Sequence, residues 1–316
     1  MKKTLFAALA LAASSALAQG YPAKPVHLLV AFPPGGPVDI IARLVAPKVG
    51  EILGQPVVVE NKVGASGNLA TQEVAKSAPD GYTLLAHSSA YAVNPTLYSN
   101  AGYDPSKDLI PIAVVAQQAN IILVNASFPA RTLEELRQQV TTHKLAFASP
   151  GAGTTPHLTG VNLFQVRWKA DITHIPFKGA GPAVAGLLGG EPPIGCMAGS
   201  GPMSNIKSGK LRALAVSSSR RLAQMPDVPT LDELGYKGME DYTWVGVFAP
   251  AGTPPEVAQK LNDAVLKTVQ SADVKQRLDT LAFDPTAAPL RESADYVRAE
   301  VAKWAKVVKE TGAKVD

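Results

Sequence analysis

Short runs of β-branched and aliphatic residues alternate along the chain with stretches whose apolar positions recur at helical spacing. Val26–Phe32 predicts a buried strand, ended by Pro33-Pro34-Gly35-Gly36-Pro37. From Asp39, residues Ile40, Ile41, Leu44, Val45 and Val49 recur on one helical face, and Gly54 stops the helix. Val57–Val59, a Gly-rich turn, a helix over Leu69–Lys76, and strands at Tyr82–Ala86 and Ile110–Val115 continue the series. A second series opens at Ile121–Val124. It runs through a helix at Arg131–Thr142, with Thr132 as N-cap, a strand at Leu145–Ala148 and a helix at His157–Val166. Strands at Ile172–Ile175, Pro193–Cys196, Leu211–Val216 and Tyr242–Ala249 follow, then amphipathic helices at Pro254–Val269 and Arg291–Lys309. This order predicts two similar α/β lobes, the second inserted into the first, each with a mostly parallel sheet covered by helices.

The first residues follow a different pattern. Met1-Lys2-Lys3 is basic, Thr4–Leu17 is almost wholly apolar or small, and Ala16-Leu17-Ala18 is a small-x-small cleavage site. The run is too short to span a bilayer, and it predicts a cleaved secretory signal over 1–18 with a periplasmic mature chain from Gln19. The expected lobes are then 19–121 plus 241–316, and 122–240.

Composition narrows the function classes. The 26 glycines and 26 prolines among 316 residues stay well short of the roughly 25–30% that marks low-complexity chains. A net charge of +4, falling by two when Lys2 and Lys3 are removed, with basic residues scattered and Arg220-Arg221 the one arginine pair, gives no basic face for nucleic acid. The single cysteine, Cys196, forms no internal disulfide. The five histidines show no metal-ligand spacing, and Ser149 lacks the Gly-x-Ser-x-Gly elbow. Gly151–Pro156 followed by Asp171 approaches a dinucleotide fingerprint, but its third position is proline and an exported chain rarely meets that cofactor. No enzyme, cofactor or metal site is expected.

Each lobe carries the same device, a strand running into a Gly-rich turn that opens a helix. It comprises Phe32 to Asp39, with Pro34, Gly35 and Gly36, in the first lobe, and Ser149 to His157, with Gly151, Gly153, Thr154 and Thr155, in the second. Glycine admits close backbone approach, and a helix start presents unpaired N–H groups to an anion. The absence of Lys and Arg from both turns favours a carboxylate over phosphate. Asp39 reads as a first-turn residue facing the helix dipole, and His157 as a neutral residue of the other first turn. Strand ends add Ser88 and Ser89 after Tyr82–Ala86, and Phe177 and Lys178 after Ile172–Pro176.

Several segments in order resemble one known family. They include Gly35–Arg43, Val58–Lys62 with Gly64-Ala65-Ser66-Gly67, Asp80–Leu84, Ser149–Leu158, His174–Gly179, Leu211–Val216 and Phe248–Pro254. Over nearly the whole mature chain they resemble the Bug-type solute-binding receptors of tripartite tricarboxylate transporters. The resemblance implies a type II periplasmic-binding-protein fold, with two α/β lobes, a hinge of two crossing strands and a ligand cleft between them. It implies an organic acid, whether mono-, di- or tricarboxylate and aromatic acids included, held by the two turns. It further implies delivery of this acid to the membrane subunits of such a transporter; separately, a monomer is expected. Where that family usually carries an acidic, Asp-Val-Met-Phe-Asp-like strand, this chain has Ile194–Ser200 without an acid, which disfavours an amino-acid ligand. A secreted hydrolase using the same cleft, and a sensor presenting its closed form to a signalling partner, are the alternatives.

Overall fold

The computed structural model describes residues 20–315, so the signal segment expected at 1–18 lies outside the described residues. The strands are β1 (Val26–Val30), β2 (Val57–Asn61), β3 (Thr83–Ser88), β4 (Leu109–Asn125), β5 (Leu145–Ser149), β6 (Ile172–Pro176), β7 (Ile194–Ala198), β8 (Leu211–Val216), β9 (Tyr242–Pro250) and β10 (Asp284–Pro285). The helices are α1 (Pro37–Leu53), α2 (Asn68–Ala75), α3 (Ala90–Leu97), α4 (Leu133–Thr142), α5 (Thr155–Val161), α6 (Ala180–Gly189), α7 (Met203–Lys207), α8 (Pro255–Gln270), α9 (Ala272–Thr280) and α10 (Leu290–Thr311). Among the described residues no helix is long and apolar enough to cross a membrane.

The sheet runs β2-β1-β3-β9-β4-β7-β5-β6, with β8 and β10 also on β4. It is mixed, which corrects the expectation of mostly parallel strands. β1 pairs in parallel with β2 and β3, and β5 with β6 and β7, whereas β9 pairs antiparallel with both β3 and β4. The alternating pattern identified the parallel units correctly. It could not show that the long connecting strands return in the opposite sense.

β4 is the structural spine. The sequence predicts two strands here, Ile110–Val115 and Ile121–Val124. The structure keeps one strand of 17 residues. Up to Ala119 it pairs with β9, and from Asn120 it pairs with β7 and, after one residue, β8. It therefore passes from one strand block to the other, and β9 returns beside it. Apolar clusters fill both faces of each block: Val30, Ile41, Val115 and Leu261 pack on one side of the first, and Leu85, Tyr91, Trp244 and Phe248 on the other. In the second block the two sides are built around Phe147, Phe164 and Leu136, and around Ile121, Leu187 and Met197.

Helix α10 is fastened to this frame from behind. The Trp244 indole on β9 donates to Glu300 Oε2 at 2.9 Å, Trp304 donates to the same oxygen at 3.0 Å, and Lys303 approaches Glu300 Oε1 at 3.3 Å.

Candidate functional site

The first turn follows β1 and opens α1, with Gly36 as N-cap and Pro37 at the first helical position. Proline suits that position because its missing N–H would have no helical partner. Asp39 turns back on the loop rather than toward open space. Its Oδ2 accepts from Gly35 N at 2.9 Å, and its Oδ1 accepts from Arg43 Nε and Asn61 Nδ2, both at 2.9 Å. Burial opposes ionisation of this carboxyl, but those donors prevail and hold it below the usual carboxylate range. Asn61 also donates to Phe32 O, so β2 braces the whole turn.

The second turn follows β5 and opens α5. Thr154 is the N-cap, its Oγ1 accepting from His157 N, and the helix then loosens into a π turn over Asn162–Arg167. Beneath the turn, His157 Nδ1 accepts from Gly153 N at 3.2 Å, and the ring stacks on His174 at 4.0 Å between centroids. His174 Nε2 lies 2.7 Å from Ser149 Oγ. Burial lowers His157 to a pKa of about 4, and burial with the neighbouring ring lowers His174 to about 3, so both stay neutral at ordinary pH. His157 is thus a prop under the Gly-rich turn.

The two turns face each other across one cavity of about 430 Å³, its solvent mouth included. Of the residues expected at the site, Phe32, Gly36, Ser88, Ser89, Thr154 and Thr155 line this cavity. Pro34, Gly35, Gly151 and Gly153 shape the turns behind the lining. Phe177 points its ring at Gly186 in α6, and Lys178 is exposed to solvent away from the cavity wall. Within the two turns marked by the sequence, Pro33, Pro37, Val38, Pro150 and Pro156 also line the cavity; outside them, sequence reading missed Gly179, Ala180, Ala198 and Thr243. Thr243 carried no local signal, since only the pairing of β9 with β4 brings it to the cleft floor. Ala198 belongs to the Ile194–Ser200 segment that the sequence had marked.

The turns also touch across the cleft. Ser66 donates to Ala152 O, Ser89 and Thr155 share a hydrogen bond of 3.0 Å, and Gly179 (φ +113°) packs where a Cβ would stand 3.1 Å from Pro33 Cγ. From Thr155 a hydrogen-bonded path leads inward through Thr243 (2.8 Å) and Asn120 (2.8 Å) to Asp241 (2.7 Å). Thr159 also donates to Asp241, while Ser217 ties Asn120 to the Asp241 backbone. This network lies where β4 and β9 pass between the strand blocks.

Burial pushes the Asp241 carboxyl up to about 6, against the pull of Lys303 and the Thr159 hydroxyl and with Glu300 adding to the rise. A carboxyl that holds its proton more tightly when folded contributes stability below its unfolded pKa and loses it as pH rises through about 6. We predict that Asp241→Asn melts a few degrees above the unsubstituted chain at pH 7.5. The gap should close by pH 4. Parallel melting curves across that range would show that Asp241 does not titrate there. Cys196 is inert by comparison, fully buried with its thiol pushed up by burial.

Residues 41–313 match the tripartite tricarboxylate transporter family receptor, TctC. The chain belongs to this family. It is 39% identical over 315 residues to BugT of Bordetella pertussis, covering 98% of this chain and 96% of that one. The periplasmic binding protein BugD superposes with a TM-score of 0.88 at 35% identity, over 93% of this chain and 99% of that one. A Rhodopseudomonas palustris protein with adipate gives 0.88 at 31% identity, over 93% and 100% of the two chains. MatC from Rhodopseudomonas palustris with bound malate gives 0.83 at 34%, over 91% and 100%. These likenesses establish the Bug-type receptor fold expected from the sequence.

Proposed function

We propose that this chain is an exported receptor that captures a small organic carboxylate between its two lobes and hands it to the membrane subunits of a tripartite tricarboxylate-type transporter. The observation that carries this reading is the cavity between two Gly-rich turns, one from each strand block, lined by the hydroxyl-bearing Ser88, Ser89, Thr154, Thr155 and Thr243 and by no charged side chain. The start of α1 favours an anion there through its unpaired N–H groups and dipole. The relatives with adipate and malate bind acids in the same fold. A division into 19–121 plus 241–316 and 122–240 is supported by the change of β4 partners at Ala119–Asn120 and by the return of the chain through β9. Closure moves the lobes about these two strands, and the ligand favours the closed state by touching both turns. The signal segment at 1–18 directs the chain to the periplasm.

The Ser149–His174 pair does not favour the hydrolase reading. Ser149 is fully buried, its hydroxyl also donates to Gly151 O, and a His with a pKa near 3 is a weak general base. Its role is to shape the second turn.

The test is a melting-temperature screen of ligand-stripped protein against carboxylic acids and their amides. Bound acids should raise the melting point by several degrees at saturating concentration, and the matching amides should not. Equal shifts with acid and amide, or no shift across the panel, would remove the carboxylate reading.

A further inference from the structure

Building on the carboxylate reading, we propose that Ser66 is a positioning residue that clasps the two lobes together and so lengthens the time for which a bound acid is held. Ser66 lies between β2 and α2, in the first strand block, and neither it nor Ala152 belongs to the cavity lining. Its hydroxyl donates to the Ala152 carbonyl, which stands between Gly151 and Gly153 in the second turn. The contact therefore joins the lobes with no ligand atom between them.

The turn that carries Ser66 is held in an unusual shape. Gly64, Ala65, Ser66 and Gly67 all have positive φ, and Ala65 (+46°) and Ser66 (+51°) carry side chains in the left-handed region. Residues other than glycine persist there only where their surroundings hold them. Gly67 N closes the turn by donating to Gly64 O at 2.9 Å, and Asn94 Nδ2 on α3 donates to Ser66 O at 3.0 Å. The fully buried His87 ring fills the space beneath Gly67, where a Cβ would stand 2.1 Å from Nε2. Tyr98 completes the mount. Its hydroxyl donates to Ser66 Oγ at 3.2 Å, which leaves the Ser66 proton for Ala152 O. The Tyr98 ring also borders the second turn, since a Cβ on Gly153 would stand 3.5 Å from its Cε2. Strained backbone and fixed neighbours thus aim one donor at the opposite lobe.

An acid enters while the lobes stand apart and the Ser66–Ala152 bond is unmade. It leaves only after that bond breaks. Removing the hydroxyl should therefore lower the closed population and speed release, with entry unaffected. One neutral hydrogen bond changes such a rate by about three- to tenfold.

The test compares the ligand-stripped full mature chain with Ser66→Ala, Ser66→Gly and Tyr98→Phe. The probes are malate, adipate, succinate and benzoate, with affinity from calorimetric titration and both rate constants from stopped-flow mixing. For each acid that binds, both Ser66 variants should dissociate about three- to tenfold faster, with association within about twofold of the unsubstituted chain. Tyr98→Phe should move dissociation the same way by less, and the ligand-free melting points should agree within a few degrees. Glycine relieves the strained backbone and alanine keeps it, so equal losses in both trace the effect to the hydroxyl. Ser66→Gly matching the unsubstituted chain, a loss confined to association, or a melting point that falls with affinity would overturn the clasp and leave the receptor reading standing. Absence of heat from every acid with the unsubstituted chain would overturn both.

Discussion

Gly153→Ala should weaken carboxylate binding by about a hundredfold or more, close to 2.7 kcal/mol, and leave the ligand-free chain folded. Gly153 has φ +81°, in the left-handed region where a side chain is strained. An added Cβ would stand 2.7 Å from Asn94 Oδ1 and 3.0 Å from Leu97 Cδ2, both on α3 in the opposite strand block. Asn94 cannot swing aside freely, because its Nδ2 donates to Ser66 O and to Asn68 Oδ1. The substitution therefore holds the second turn away from the first lobe, in the state that binds poorly. Binding measured by titration should fall while the circular-dichroism melt of the apo protein stays within a few degrees. An unchanged affinity would show that closure does not press Gly153 against α3.

Trp244→Ala acts on stability rather than on affinity. Trp244 is fully buried, with Phe248 and Tyr296 rings 6.4 and 6.1 Å away, and its indole nitrogen holds Glu300. Truncating a buried tryptophan costs about 3–5 kcal/mol through lost burial and the cavity left behind. Here Glu300 also loses one of its two indole donors. A fall in melting temperature on the order of 10 °C is expected, and Trp244→Phe should recover part of it by refilling the space. A loss below about 1 kcal/mol in urea unfolding would mean that α10 is not anchored through this ring.

These two sites differ in how far the sequence exposed them. The turn around Gly153 was legible because strand, glycine and N-cap signals are local: β5 supplies the strand, Gly151 and Gly153 the bend, and Thr154 the cap. The same local chemistry marked Gly36 and Asp39. The importance of Trp244 was not legible, since Glu300 is 56 residues away and meets it only after α10 folds back. Thr243 at the cleft floor escaped for the same reason, since only the pairing of β9 with β4 brings it there. Helix α6 was missed because Ala180–Gly189 contains three glycines and a proline, which local propensity reads against a helix. Burial of Ala183, Val184 and Leu187 against the second lobe outweighs that preference.

The path of β4 and β9 has a consequence for how the chain acquires its shape as it emerges N-terminus first. Strand β3 lies between β1 and β9, and β9 is made only after every residue of the inserted lobe. The middle of the chain holds all its own strand partners once β8 is complete, whereas the beginning must wait with one edge of β3 unpaired. The inserted lobe should therefore gain protection from hydrogen exchange before β1 and β3 do, so that the oldest part of the polypeptide is the last to become native.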